Sequence, residues 1–137
     1  MNGSVFLDTN ILAYLYSTSE PQKRSKSISI LANCLCITST QALNEFGNVF
    51  IKKYKMSRVF IKQAITNISR TCSVRLITEQ TINSALDLND KYGYSYYDCL
   101  MLASALENTC GELFSEDMAT GQLIEGKLKI VNPYQVA

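Results

Sequence analysis

The chain has 137 residues, of which 47% are apolar and 18% charged, with a formal net charge of +1 and no histidine. That composition fits one globular domain able to bury about two thirds of its unfolded surface, and it excludes a largely disordered chain. The missing imidazole excludes a Ser-His-Asp triad, a histidine zinc site and histidine acid–base chemistry, so carboxylates must carry any hydrolytic site.

Val5-Phe6-Leu7 reads as a short buried strand that ends at Asp8, and Ile11, Leu12 and Ala13 continue to Tyr16 with helical spacing. Ser19 with Gln22 forms an S-x-x-Q capping pattern around Pro21, which predicts a helix to about Ala32 with Ile28 and Leu31 turned inward. Cys34 to Ile37 is the second strand. Thr38, Ser39 or Thr40 can cap the next helix, whose Leu43, Phe46, Val49 and Phe50 form a stripe reaching Tyr54. Ser57 starts a further helix with Phe60, Ile61, Ala64, Ile65 and Ile68 on one face. Val74 to Ile77 is the third strand, followed by a helix capped by Thr78, bearing Ile82, Ala85 and Leu86 and stopped by Gly93. Ser95 opens a helix that is apolar nearly all round, hence central. Glu112-Leu113-Phe114 and Leu128 to Val131 complete about five strands. Strands alternating with helices predict an α/β fold with a parallel sheet covered on both faces, in one domain spanning residues 1–137.

Charge is unevenly distributed. Residues 21–78 carry ten Lys or Arg and the single acid Glu45, whereas from Glu79 onward nine acids face three lysines. A basic segment in an otherwise acidic chain suggests a polyanionic partner such as nucleic acid, although a solvated lysine-rich helix face explains it equally well. Five cysteines (Cys34, Cys36, Cys72, Cys99 and Cys110) without a C-x-x-C pair read as small core residues. No apolar run of about 18 residues and no signal-peptide pattern is present, which predicts a cytoplasmic protein with no membrane partner.

Four acids occupy corresponding places in this layout. Asp8 ends the first strand, Asp117 follows the fourth, Glu45 lies in an early turn of the helix after the second strand, and Asp98 lies in the first turn after Ser95. All four are expected at the carboxyl edge of the sheet, where ligands of open α/β folds bind. Crowded carboxylates hold protons unless a cation neutralises them, and an all-oxygen pocket favours Mg²⁺ or Mn²⁺ over zinc. Three of the acids also have a structural explanation, Asp98 as the partner of Ser95 in a cap, Glu45 as a helix-dipole charge and Asp117 as a turn former before Gly121, whereas an isolated buried charge at Asp8 is costly without a partner.

Leu7-Asp8-Thr9-Asn10, Asn44-Glu45-Phe46, Ser95-Tyr96-Tyr97-Asp98-Cys99-Leu100-Met101-Leu102-Ala103 and Leu113-Phe114-Ser115-Glu116-Asp117 together resemble the PIN-domain ribonucleases, most closely the small VapC-type toxins of toxin–antitoxin pairs. The resemblance spans nearly the whole chain. It implies an endoribonuclease in which Asp8, Glu45, Asp98 and Asp117 are catalytic and hold one or two Mg²⁺ or Mn²⁺ ions, an RNA phosphodiester being hydrolysed by a metal-activated water. It also implies that Asn10 and Ser115 support the acids or orient the substrate, and that the protein is a homodimer partnered by a small antitoxin. Lys52, Lys53, Lys55 and Arg58 are the expected contacts to the RNA backbone, with Tyr54 among them available for base stacking. The competing readings are a housekeeping RNA-processing nuclease, a structure-specific DNA nuclease and a non-catalytic RNA-binding scaffold; Asp8-Thr9-Asn10 departs from the D-x-D of aspartate-nucleophile phosphatases.

Overall fold

Strand β1 (Ser4–Leu7) buries Val5, Phe6 and Leu7 in succession, which requires both faces of the strand to be covered. In the computed structural model, which describes residues 3–135, β1 lies inside a six-stranded sheet. The other strands are β2 (Leu35–Ser39), β3 (Ser73–Arg75), β4 (Glu112–Phe114), β5 (Leu123–Ile124) and β6 (Leu128–Val131), in the order β3-β2-β1-β4-β6-β5. All neighbours pair in parallel except β5, which runs antiparallel to β6 at one edge. The expected parallel α/β sheet is therefore present, with a short antiparallel edge strand added to it.

Six helices connect the strands: α1 (Thr9–Tyr14), α2 (Pro21–Asn33), α3 (Thr40–Lys52), α4 (Arg58–Thr71), α5 (Glu79–Tyr92) and α6 (Tyr96–Glu107). Ser39, Ser57, Thr78 and Ser95 each accept a backbone N–H at the start of their helix, and Thr78 with Thr81 forms a reciprocal box. Gly93 ends α5 at φ +77°, a conformation that costs a residue with Cβ far more than glycine. Helix α6 is the central one. Cys99 through Ala105 are buried without interruption, and the helix packs on β1, β2 and β4 as well as on α3 and α5.

Three sequence expectations change. The Ser19–Gln22 capping box does not form: the Ser17 hydroxyl instead accepts from the amides of Ser19 (3.2 Å) and Glu20 (3.0 Å), and Pro21, which has no N–H to satisfy, opens α2. Ile28 is 49% exposed, whereas Ile30 and Ser27 face inward because the Ser27 hydroxyl pairs with that of Tyr134 at 2.6 Å. The third strand, expected from Val74 to Ile77, is Ser73–Arg75 and leaves Leu76 exposed; on α5, Thr81, Ala85 and Leu88 pack inward, with Thr81 bonded to Glu107 at 2.8 Å. The cysteines are core residues as expected, four buried and Cys34 half-buried, all free. No helix among the described residues is long and apolar enough to cross a membrane.

Strand order places the site. The chain moves outward from β1 through β2 to β3 and then returns to the other side of β1 with β4, so the connections diverge between β1 and β4 and leave a crevice at their carboxyl ends. The first residue beyond β1 is Asp8, and the first beyond β4 is Ser115.

Candidate active site

Asp8 continues the ladder by one bond, its amide donating to the Phe114 carbonyl at 3.2 Å, and then caps α1. Its Oδ1 accepts from the Thr9 amide at 2.7 Å and its Oδ2 from the Ser115 hydroxyl at 2.9 Å. The residue is only 4% exposed and forms no ion pair among the described residues. Burial, reinforced by the charges of Asp98 and Glu45, pushes its carboxyl from the ordinary 3.8 up to about 7, against the two hydrogen bonds that favour the ionised form.

Two of the other acids, Asp98 and Glu45, lie near enough for their charges to act on it. Glu45 lies one turn beyond Gln41 on α3 and accepts from the Gln41 side-chain Nε2 at 3.1 Å. Desolvation raises its pKa, with Asp98 and Asp117 adding to the rise. Asp98, in the first turn of α6, has its pKa raised by burial and then by Asp117, while Ser95 opposes the shift. The Ser95 hydroxyl accepts from the Asp98 amide at 3.2 Å. That is half of a capping box; among the described residues the Asp98 carboxylate makes no return bond to the Ser95 amide, and the Ser95 hydroxyl favours its ionised form. Asp117 is exposed, its Oδ2 accepting from the Asn10 side chain at 3.0 Å and its amide donating to the Ser115 hydroxyl at 3.2 Å. Ser115 thus bridges Asp8 and Asp117, and Asn10 ties Asp117 to α1.

Glu116 belongs to a different group. Its carboxylate pairs with Lys23 at 2.8 Å and accepts from the Tyr14 hydroxyl. Across the loop, the Ala119 amide donates to the Tyr94 hydroxyl at 3.1 Å, and that hydroxyl donates to the Gln122 side chain. The loop carrying Asp117 is therefore tied on one flank to α1 and α2 and on the other to the segment that leads into α6. Tyr94, Lys23 and Tyr14 escaped the sequence reading because these ties join residues far apart in the chain. Thr9 and Gln41 were also missed, but adjacency to Asp8 and the four-residue spacing to Glu45 would have identified them. The Thr9 hydroxyl is buried with no hydrogen bond of ordinary geometry, although it is close enough to Glu45 to favour the charged carboxylate.

This donor set suits a hard cation, being all oxygen and electrostatically strained by its own charge. Among the described residues no three acidic, Cys or His side chains already converge closely enough to enclose one ion.

The basic cluster sits where α3 ends and α4 begins. Lys52 is seven residues beyond Glu45, about 10 Å along the helix. Lys52, Lys53, Lys55 and Arg58 are all exposed, and the ion pairs among the described residues involve none of them. Tyr54 is engaged with the protein: its ring leans on Phe50 at 5.0 Å, and the Lys53 ammonium stands 5.4 Å from its centroid.

Comparison with known proteins gives a consistent placement. A sequence search of curated proteins returns no significant match. Among solved structures, a toxin–antitoxin complex from Klebsiella pneumoniae is similar at TM-score 0.71 and 23% identity, over 96% of this chain and 99% of that one. VapC20 of Mycobacterium tuberculosis, described as a sarcin-ricin loop cleaving toxin, is similar at TM-score 0.68 and 17% identity, over 82% and 91%. FitAcB from Neisseria gonorrhoeae gives TM-score 0.68 at 16% identity, over 96% and 99%. The family model for the PIN domain matches residues 5–119, a span holding all four crevice acids, so the chain belongs to the PIN domain family, and that membership supports nuclease activity.

Proposed function

We propose that the protein is a metal-dependent endoribonuclease and the toxin of a toxin–antitoxin pair. The observation that carries this reading is the set of four carboxylates at the switch point, with buried Asp8 raised to about 7 and no Lys or Arg paired with any of them among the described residues. Asp8 and Asp98 are assigned as direct ligands, Asp117 as a ligand of a second ion or one acting through water, and Glu45 as a ligand or the group that orients the attacking water. When bound, Mg²⁺ or Mn²⁺ supplies charge neutralisation at the phosphate and lowers the pKa of water. The Thr9 amide and the Ser115 hydroxyl hold the two oxygens of ionised Asp8 in place, and Asn10 does the same for Asp117. Lys52, Lys53, Lys55 and Arg58 draw in the phosphate backbone.

The toxin reading rests on the solved structures described above, one of which is described as a toxin–antitoxin complex and another as a toxin. A small antitoxin would suit this crevice chemically, since an arginine or lysine inserted among the carboxylates replaces the cation. A homodimer and a cytoplasmic location complete the proposal.

The deciding experiment combines cleavage and growth. Purified protein should cut single-stranded RNA with Mg²⁺ or Mn²⁺ and not in chelator, and Asp8→Asn and Asp98→Asn should lose cleavage while remaining folded. Expression of the wild type should arrest growth of the native host, Asp8→Asn should not, and the adjacent small gene should relieve the arrest. RNA cleavage without arrest would make the protein a housekeeping RNA-processing nuclease. Cleavage confined to DNA would make it a DNA nuclease, and RNA binding without cleavage a scaffold.

A further inference from the structure

A groove of about 390 Å³ opens beside the crevice, between α3 and the start of α6. Its walls are Gln41, Asn44, Glu45, Asn48, Val49 and Tyr97. Helical spacing puts Gln41, Asn44 and Asn48 on the same face of α3 as Glu45, so three carboxamides line up beside a crevice acid. Asn44 and Asn48 are exposed and make no side-chain hydrogen bond among the described residues, while Gln41 is committed to Glu45. Opposite them, Tyr97 is 57% exposed on a helix whose next turn is wholly buried.

The chemistry of this groove differs from that of the basic cluster. It contains no Lys or Arg, and with Glu45 in its wall it repels phosphate. A carboxamide offers both a donor and an acceptor at fixed separation, matching the edge of an unpaired base, and an exposed tyrosine offers a face on which a base can stack. The volume lies within the range of small-ligand sites.

We propose that this groove is a nucleobase subsite. The base flanking the scissile phosphate stacks on Tyr97 and presents its edge to Asn44 and Asn48, which makes these three residues determinants of the RNA sequence that is cut. Gln41 connects the subsite to the cleavage centre through its bond to Glu45. This inference rests on the ribonuclease reading, and its test separates the two.

Binding of labelled single-stranded RNA is measured by fluorescence anisotropy in Ca²⁺, alongside an oligonucleotide with the same backbone but abasic throughout. Tyr97→Ala should weaken binding of the normal RNA about tenfold, Tyr97→Phe should restore it, and the abasic strand should bind wild type and Tyr97→Ala alike. In Mn²⁺, cleavage of a random-sequence pool by the wild type should show a base preference beside the cut that the Asn44→Ala/Asn48→Ala double variant flattens. Cleavage with affinity and preference unchanged in these variants overturns the subsite and leaves the ribonuclease. Base-dependent binding through Tyr97 without cleavage keeps the subsite and removes the ribonuclease. Equal loss of normal and abasic strands overturns the subsite, and no RNA binding at all removes both.

Discussion

Replacing Asp8 by Asn removes a buried titrating group and changes little else. The carboxamide oxygen can still accept from the Thr9 amide, and its nitrogen can donate to the Ser115 hydroxyl oxygen, so both hydrogen bonds have an equivalent. In the wild type the carboxyl binds its proton more tightly in the folded chain, up to about 7, than in the unfolded chain, near 3.8. Between those values the folded state carries the extra proton, so the Asp8 contribution is complete below pH 4 and is lost as pH rises through 7. At 1.36 kcal/mol per pH unit this amounts to about 4 kcal/mol, or a melting shift on the order of 10 °C for a domain of this size. Glu45 and Asp98 are shifted in the same direction and remain in the variant, so the difference between the two proteins reports Asp8 together with its coupling to their charges. The assay is urea or thermal unfolding of both proteins from pH 4 to 8 in chelator. Asp8→Asn should gain on the wild type steadily across that window and exceed it at pH 8. Adding Mn²⁺ at pH 8 should stabilise the wild type and leave the variant unmoved. Parallel stability curves for the two proteins would refute an unpaired buried Asp8.

Ser115→Ala removes a hydrogen bond that favours ionised Asp8, so the pH midpoint for Mn²⁺ binding should move upward, as titration calorimetry across pH would show; an unchanged midpoint would remove Ser115 from the support of Asp8. Replacing Lys52, Lys53 and Lys55 together by Gln should reduce the slope of log affinity against log salt by roughly 0.7 per lost phosphate contact. An unchanged slope in RNA-binding titrations would return these lysines to ordinary solvated surface.

The route from sequence to fold was clearest where a residue's neighbours in the chain decide its role. Ser57 and Thr78 cap their helices as expected, and the all-round apolar pattern of α6 places it at the centre. Reading failed where a distant partner decides. Ser27 turns inward at the expense of Ile28 because Tyr134 lies inside to bond it, and helical periodicity carries no trace of that partner. Strand β5 has two residues, too few for an alternation to register, and exists because β6 lies alongside. At the candidate site, the positions of Asp8, Glu45, Asp98 and Asp117 at one edge followed from element order. The engagement of the neighbouring Glu116 with Lys23 and Tyr14 did not, because those partners lie far away in the chain.

The double tie on the loop from Ser115 to Ala119 bears on when its conformational entropy is lost. A free loop bearing Asp117 would be ordered only on ligand capture, at a cost charged against affinity. Here Glu116 is fastened to Lys23 and Tyr14, and Ala119 to Tyr94, so folding itself orders the loop and sets the separation between Asp117 and the Asp98 helix. Part of the folding free energy is thereby held as preorganisation, and an incoming ion or phosphate meets carboxylates whose scaffold is already in place.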